Sequence, residues 1–185
     1  MGMRKFLVIG ISIFITVLSS VFFSKYLNKS NATSNTTSLT PVTIVSEETR
    51  ETPKGLLEYK NTTHGFSLLY PEGIVISEPL EDASTATITF QDVENGSGFQ
   101  IFIVPNNSPR ISEERFIKDV SSGVRTNVEN TTVGITQAVS FHSEDFFLGE
   151  TQEVWFIHEG FLYEVTTLRS LDEWIFTIMD TWLFL

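Results

Sequence analysis

The chain contains no cysteine. That excludes a disulfide framework, a zinc–thiolate centre and a thiol nucleophile. It also excludes a lipid-modified N-terminus, which needs a cysteine just past an apolar run. Histidine is scarce: His64, His142 and His158 stand far apart, none at i, i+2 or i, i+4 from another. No Gly-rich phosphate loop or dinucleotide fingerprint is present, and no Asp-x-Asp-x-Asp-Gly calcium spacing. No internal repeat is evident. Basic residues number 12 against 23 acidic ones, a net charge of −11. The basic footprint that nucleic acid requires is therefore missing, as is a docking face for anionic lipid.

Acidic residues are also missing from the first thirty positions, which carry Arg4, Lys5, Lys25 and Lys29. The remainder holds eight basic and 23 acidic residues. Between the two basic flanks, Phe6–Phe23 is uncharged throughout and apolar on every face. At about 1.5 Å of rise per residue, a helix of that length covers roughly 27 Å, close to the hydrocarbon thickness of a bilayer. We expect residues 1–23 to be a membrane anchor with a cytoplasmic N-terminus. The alternative is a signal peptide cleaved near Val17-Leu18-Ser19, which would release a secreted protein. Both readings export the body.

Residues 24–56 read as a flexible tether. Ten of the fourteen residues of Ser30–Thr43 are Ser, Thr or Asn. Such a tract cannot bury enough apolar surface to offset its ordering entropy, and it reaches roughly 30 Å. N-x-[ST] sequons begin at Asn28, Asn31, Asn35, Asn61, Asn95, Asn106 and Asn130. They are compatible with glycosylation or with chance in an Asn/Thr-rich chain.

Residues 57–185 have the size of one domain. Leu57–Lys60 and Phe66–Tyr70 read as strands, with Ile74–Ser77 resuming the ladder after Pro71. Thr85–Gln91 alternates, with Ala86, Ile88 and Phe90 inward. Asn95-Gly96 marks a hairpin turn, and Phe99–Val104 returns, apolar at both parities, as a mid-sheet strand under a helix. Ser112 caps a helix with Phe116, Ile117 and Val120 as its buried stripe. Thr126–Gly134 is polar and ambiguous. Gln137–His142 is a strand with Val139 and Phe141 inward. Thr151–His158 and Phe161–Thr167 form a hairpin about Glu159-Gly160. Ser170 and Glu173 spell a capping box, and Leu171, Trp174, Ile175, Ile178 and Met179 then follow a helical period. Thr181–Leu185 reads as a final strand. These elements predict an α+β domain, a central mostly antiparallel sheet with two flanking helices.

Three motifs, in order, resemble the PsbP-like superfamily. Gly65-Phe66-Ser67-Leu68-Leu69-Tyr70-Pro71 is similar to its opening strand. Gly160-Phe161-Leu162-Tyr163-Glu164-Val165 is similar to a late strand. The last helix with Thr181-Trp182-Leu183-Phe184 resembles its closing helix and strand. One departure is Gly73-Ile74, where such domains usually place a Trp. The resemblance implies an antiparallel sheet flanked by helices and a binding or assembly role rather than chemistry. Plant members are extrinsic subunits that assist a photosystem, and many tethered bacterial relatives have no assigned role. Fold alone does not give function.

The candidate contact site is Phe146-Phe147-Leu148, three large apolar residues ringed by Glu144, Asp145 and Glu150. They are either core tucked under the sheet edge or an exposed patch for a basic partner. Glu144, Asp145, Glu150 and Glu153 together read as a solvated acidic face, with a weak cation site as the alternative. Ser140, His142, Ser143, Glu144 and Asp145 hold the letters of a catalytic triad, but neighbours on a strand point to opposite faces. Trp155, Trp174 and Trp182 are either core or the lining of a ligand pocket. From these residues we expect a non-enzymatic extracytoplasmic domain that binds or assists another envelope protein. The alternative is a small-molecule or cation site in a sheet–helix cleft. No catalytic residue, cofactor or metal ligand is assigned, and the oligomeric state is left open.

Overall fold

The computed structural model describes residues 50–79, 85–120 and 122–185. The expected membrane segment at 6–23 and most of the expected tether lie outside the described residues. Among the described residues no helix is long and apolar enough to cross a membrane. The last residues of the expected tether are attached to the body. Arg50 donates a 2.6 Å hydrogen bond to the Thr181 carbonyl, and the Gly55 carbonyl accepts from the Glu72 N–H at 3.1 Å.

Among the described residues there are ten strands and two α-helices, all strand pairs antiparallel. β1 (Leu56–Asn61), β2 (Phe66–Pro71) and β10 (Leu183–Phe184) form a small sheet in the order β1-β2-β10. The large sheet runs β3-β4-β5-β9-β8-β7-β6. Its strands are β3 (Val75–Ser77), β4 (Ala86–Asp92), β5 (Ser97–Pro105), β6 (Thr126–Val133), β7 (Thr136–Asp145), β8 (Gly149–His158) and β9 (Phe161–Leu168). The α+β expectation holds, with two corrections, the first being that the strands divide between two sheets instead of forming one central sheet. The second is that Ile74–Ser77 does not resume the ladder of β2. Pro71 has no N–H to donate onward, and Gly73 takes a φ of 92°. The chain turns there and delivers β3 to the edge strand position of the large sheet, against β4.

Alternation along the large sheet builds two cores, one on each face. On the inner face Ile88, Phe90, Phe99, Ile101, Val154, Phe156, Tyr163 and Val165 pack against Phe66 and Leu68 of the small sheet and Ile175, Ile178 and Met179 of α2 (Asp172–Met179). On the outer face Val104, Phe141, Trp155 and Leu162 pack against Phe116 and Val120 of α1 (Glu113–Asp119). β5 serves both cores, which is why its sequence is apolar at both parities.

Both helix predictions need adjustment. α1 starts as expected: the Ser112 side chain accepts from the Arg115 N–H, and Glu113 and Glu114 occupy the first turn. Ile117, however, is 68% exposed. Phe116 and Val120 are four residues apart and share a face, and Ile117 lies about 100° round from Phe116. In α2 the capping box does not form. Ser170 falls inside a 3-10 turn, Arg169–Leu171, and the residue at the cap is Leu171, without a side-chain bond. The tight turn delays the helix, and Asp172 Oδ1 instead accepts the Glu173 N–H at 2.6 Å.

Candidate functional site

The loop between β7 and β8 is three residues long: Phe146, Phe147 and Leu148. Asp145 and Gly149 give it its shape. Asp145 Oδ1 accepts the N–H groups of Phe147 at 2.8 Å and Leu148 at 2.9 Å, a turn in which a carboxylate replaces a backbone acceptor. Gly149 closes it with a φ of 77°, which a side chain would oppose. Held this way, Phe146 and Phe147 project from the hairpin tip, 87% and 81% exposed, and Leu148 is exposed beside them. The two rings meet edge to face at 5.1 Å. Both faces of β7 and β8 are filled before the tip is reached, by Phe141 and Trp155 on one side and Ala138 and Phe156 on the other. The triplet is therefore exposed and not tucked under the sheet edge.

The acidic residues around the tip play separate parts. Glu144 and Glu150 face each other across the strand pair, and both are exposed. Glu150 is held by Arg169 at 3.1 Å. Asp145 holds the turn. Glu153 corrects the solvated-face expectation: it is only 6% exposed. Its carboxyl accepts from Thr166 Oγ1 (2.6 Å), Thr151 Oγ1 (2.8 Å), Ser143 Oγ (3.2 Å) and Trp155 Nε1 (3.2 Å). Burial still outweighs these four bonds and raises its pKa. No group of three or more His, Asp or Glu side chains fit for a metal occurs among the described residues.

The letters of a triad do not converge. Ser143 faces Glu153 and Thr151, whereas the His142 ring nitrogen lies 3.0 Å from the Asn127 amide. The tryptophans divide. Trp182 is core, 1% exposed and stacked on Phe66. Trp174 is half-buried at the core's edge. Trp155 is buried but also forms the floor of an open groove of about 410 Å³, bordered by Ile111, Phe116, Arg125 and Val139.

A further buried charge cluster was not foreseen. Arg115 of α1 donates to Glu164 Oε1 of β9 from Nε and Nη2, at 3.3 and 3.2 Å, and pairs with Asp119 one turn on. Burial, then the hydrogen bond and negative charge of Asp119, push the Glu164 pKa up to about 8, and Arg115 only partly opposes this. Parity carried the signal for both buried acids: Glu153 shares a face with Trp155 and Ile157, and Glu164 with Leu162.

No protein-family model matches the sequence, and no curated protein matches it. Among solved structures, the fold is similar to the solution structure of cyanobacterial PsbP (CyanoP) from Synechocystis sp. PCC 6803. The TM-score is 0.53 at 15% sequence identity, over 71% of this chain and 93% of that one. The body therefore has a PsbP-like fold, as the three motifs implied.

Proposed function

We propose that this chain is a non-enzymatic accessory domain, anchored through residues 6–23 on the outer face of a membrane, that grips another envelope protein with its β7–β8 tip. The observation that carries this reading is the exposed Phe146-Phe147-Leu148 triplet on a rigid turn. Aromatic side chains held out at low conformational freedom are effective anchors for a pocket on a partner. Glu144 and Glu150 beside them favour a partner with a basic rim. The PsbP-like fold supports an accessory role, since the family resemblance implies assembly rather than chemistry.

A photo-crosslinker placed at Phe146, in the full chain at native level, is expected to capture an envelope protein with a basic patch. Phe147→Ser should abolish that capture and shift the Tm by no more than about 2 °C, as for a surface change worth under about 0.5 kcal/mol. Added salt should weaken capture, because the steering charges are exposed. Unchanged capture by the variant would overturn the reading. Topology has its own check: protease added to intact spheroplasts should digest the body and leave a membrane-bound stub, and full protection of the body would refute the outward placement.

A further inference from the structure

We propose that the groove between the α1 region and the outer face of the large sheet binds a small apolar molecule carrying a single anionic head. It lies away from the hairpin tip, along the other half of β7 and β8. Its volume, about 410 Å³, falls within the range of small-molecule sites, roughly 300–1,000 Å³. Half-buried Val139 and Ile157 form an apolar floor and half-buried Ile111 a wall, backed by the stacked, buried rings of Trp155 and Phe116. These surfaces suit a hydrocarbon or aromatic body.

Charge selects the head group. Only eight basic residues lie beyond the first thirty positions, and four of them, Arg110, Arg115, Lys118 and Arg125, fall in one stretch of sixteen residues. Two of the four, Arg110 and Arg125, line the groove, and no carboxylate does among the described residues. Arg110 is exposed at the mouth. The Arg125 guanidinium lies over the Phe116 ring, 3.8 Å from its centroid, which fixes its plane. Its ion pair with Glu113 is 2.6 Å long, but Glu113 is 74% exposed. An exposed pair of that kind contributes little, so an incoming anion can take its place. A guanidinium fork is well matched to a carboxylate or phosphate. A cation at the same place would meet two arginines.

The test is calorimetric titration of the full chain with 4-phenylbutyrate, with 4-phenylbutanol and 4-phenylbutylammonium as controls. The carboxylate is expected to bind roughly tenfold more tightly than the alcohol, the gain of one charge-assisted contact, and the ammonium not at all. Arg110→Glu, at an exposed position, should remove that tenfold advantage and leave the alcohol's affinity and the Tm unchanged. Gln137→Trp, also at an exposed position lining the groove, should occlude the site to both. Absence of carboxylate binding up to about 10 mM, a free energy of less than roughly 3 kcal/mol, would overturn the proposal. So would equal binding of the ammonium. Wild-type affinity for the carboxylate in both variants would place the molecule elsewhere and overturn it too.

Discussion

Trp182→Ala is expected to destabilise the domain by about 3–5 kcal/mol, a fall in Tm of roughly 10–20 °C. Trp182 is the wedge between the two sheets. Its ring stacks on Phe66 of the small sheet at 4.4 Å and 12°. It also meets Phe156 and Tyr163 of the large sheet edge-on, at 5.2 and 5.9 Å. Alanine would leave a cavity walled by three aromatic rings, each held by its own strand and unable to collapse inward. The indole N–H is buried and has no hydrogen-bond partner among the described residues, while the ring contacts above are all packing contacts. Trp182→Phe should therefore cost much less, under about 1.5 kcal/mol, because it keeps an aromatic face and removes an unsatisfied donor. Urea unfolding followed by far-UV circular dichroism measures both. An alanine variant as stable as the parent would show that the two sheets do not meet through this ring.

Local patterns spoke clearly wherever one face of an element is buried and the other wet. Thr85–Gln91 alternates because β4 has its core on one side. Asn95-Gly96 and Glu159-Gly160 mark turns because the backbone there needs positive φ, at Gly96, Glu159 and Gly160. The two-sheet division was not legible, because the pairing of a three-residue strand such as β3 depends on where the rest of the chain has already gone. β6 was ambiguous because it is an edge strand, exposed at most positions, and so has no inward set to alternate. The Ser170–Glu173 pattern misled because a capping box presumes that the helix starts at once, and here a 3-10 turn intervenes. The tip illustrates a different limit. Three large apolar residues read as core by composition, and only the geometry of a short loop held by Asp145 and Gly149 shows them outside. Glu153 and Glu164 were hidden by the opposite bias, since a carboxylate reads as solvated even at an inward parity. The groove combines Trp155 with arginines from a distant loop, a meeting that no spacing along the chain records.

Stability should fall as the pH rises from about 6.5 to about 8, with Glu164 as a cause. Its pKa is about 8 in the folded domain against an ordinary 4.5. Between those values the folded state keeps a proton that the unfolded chain has released. Its contribution is therefore full below about 4.5 and is lost progressively as the pH rises toward 8, by up to about 1.4 kcal/mol per unit. Glu153, also raised by burial, acts with the same sign. Burial holds His64 below the ordinary histidine value, and that group adds stability as the pH rises toward 6.5, so the clean window opens above it. Asp92 and Glu114 are lowered and act only in acid. From pH 6.5 to 8 the expected loss from Glu164 alone is at most about 2 kcal/mol, or roughly 5–10 °C in Tm. The physical cause is first the burial of Glu164 and then the neighbouring Asp119 carboxyl, which Arg115 only partly offsets. Glu164→Gln keeps an acceptor for Arg115 and offers a donor to Asp119 without the charge. That variant should melt above the parent at pH 8, near it at pH 5, and with a shallower slope between. Arg115 and Asp119 belong to α1 and Glu164 to β9, so the cluster joins this helix to the sheet. A parent whose Tm is flat across the window, or a glutamine variant that melts lower at pH 8, would refute this account of the cluster.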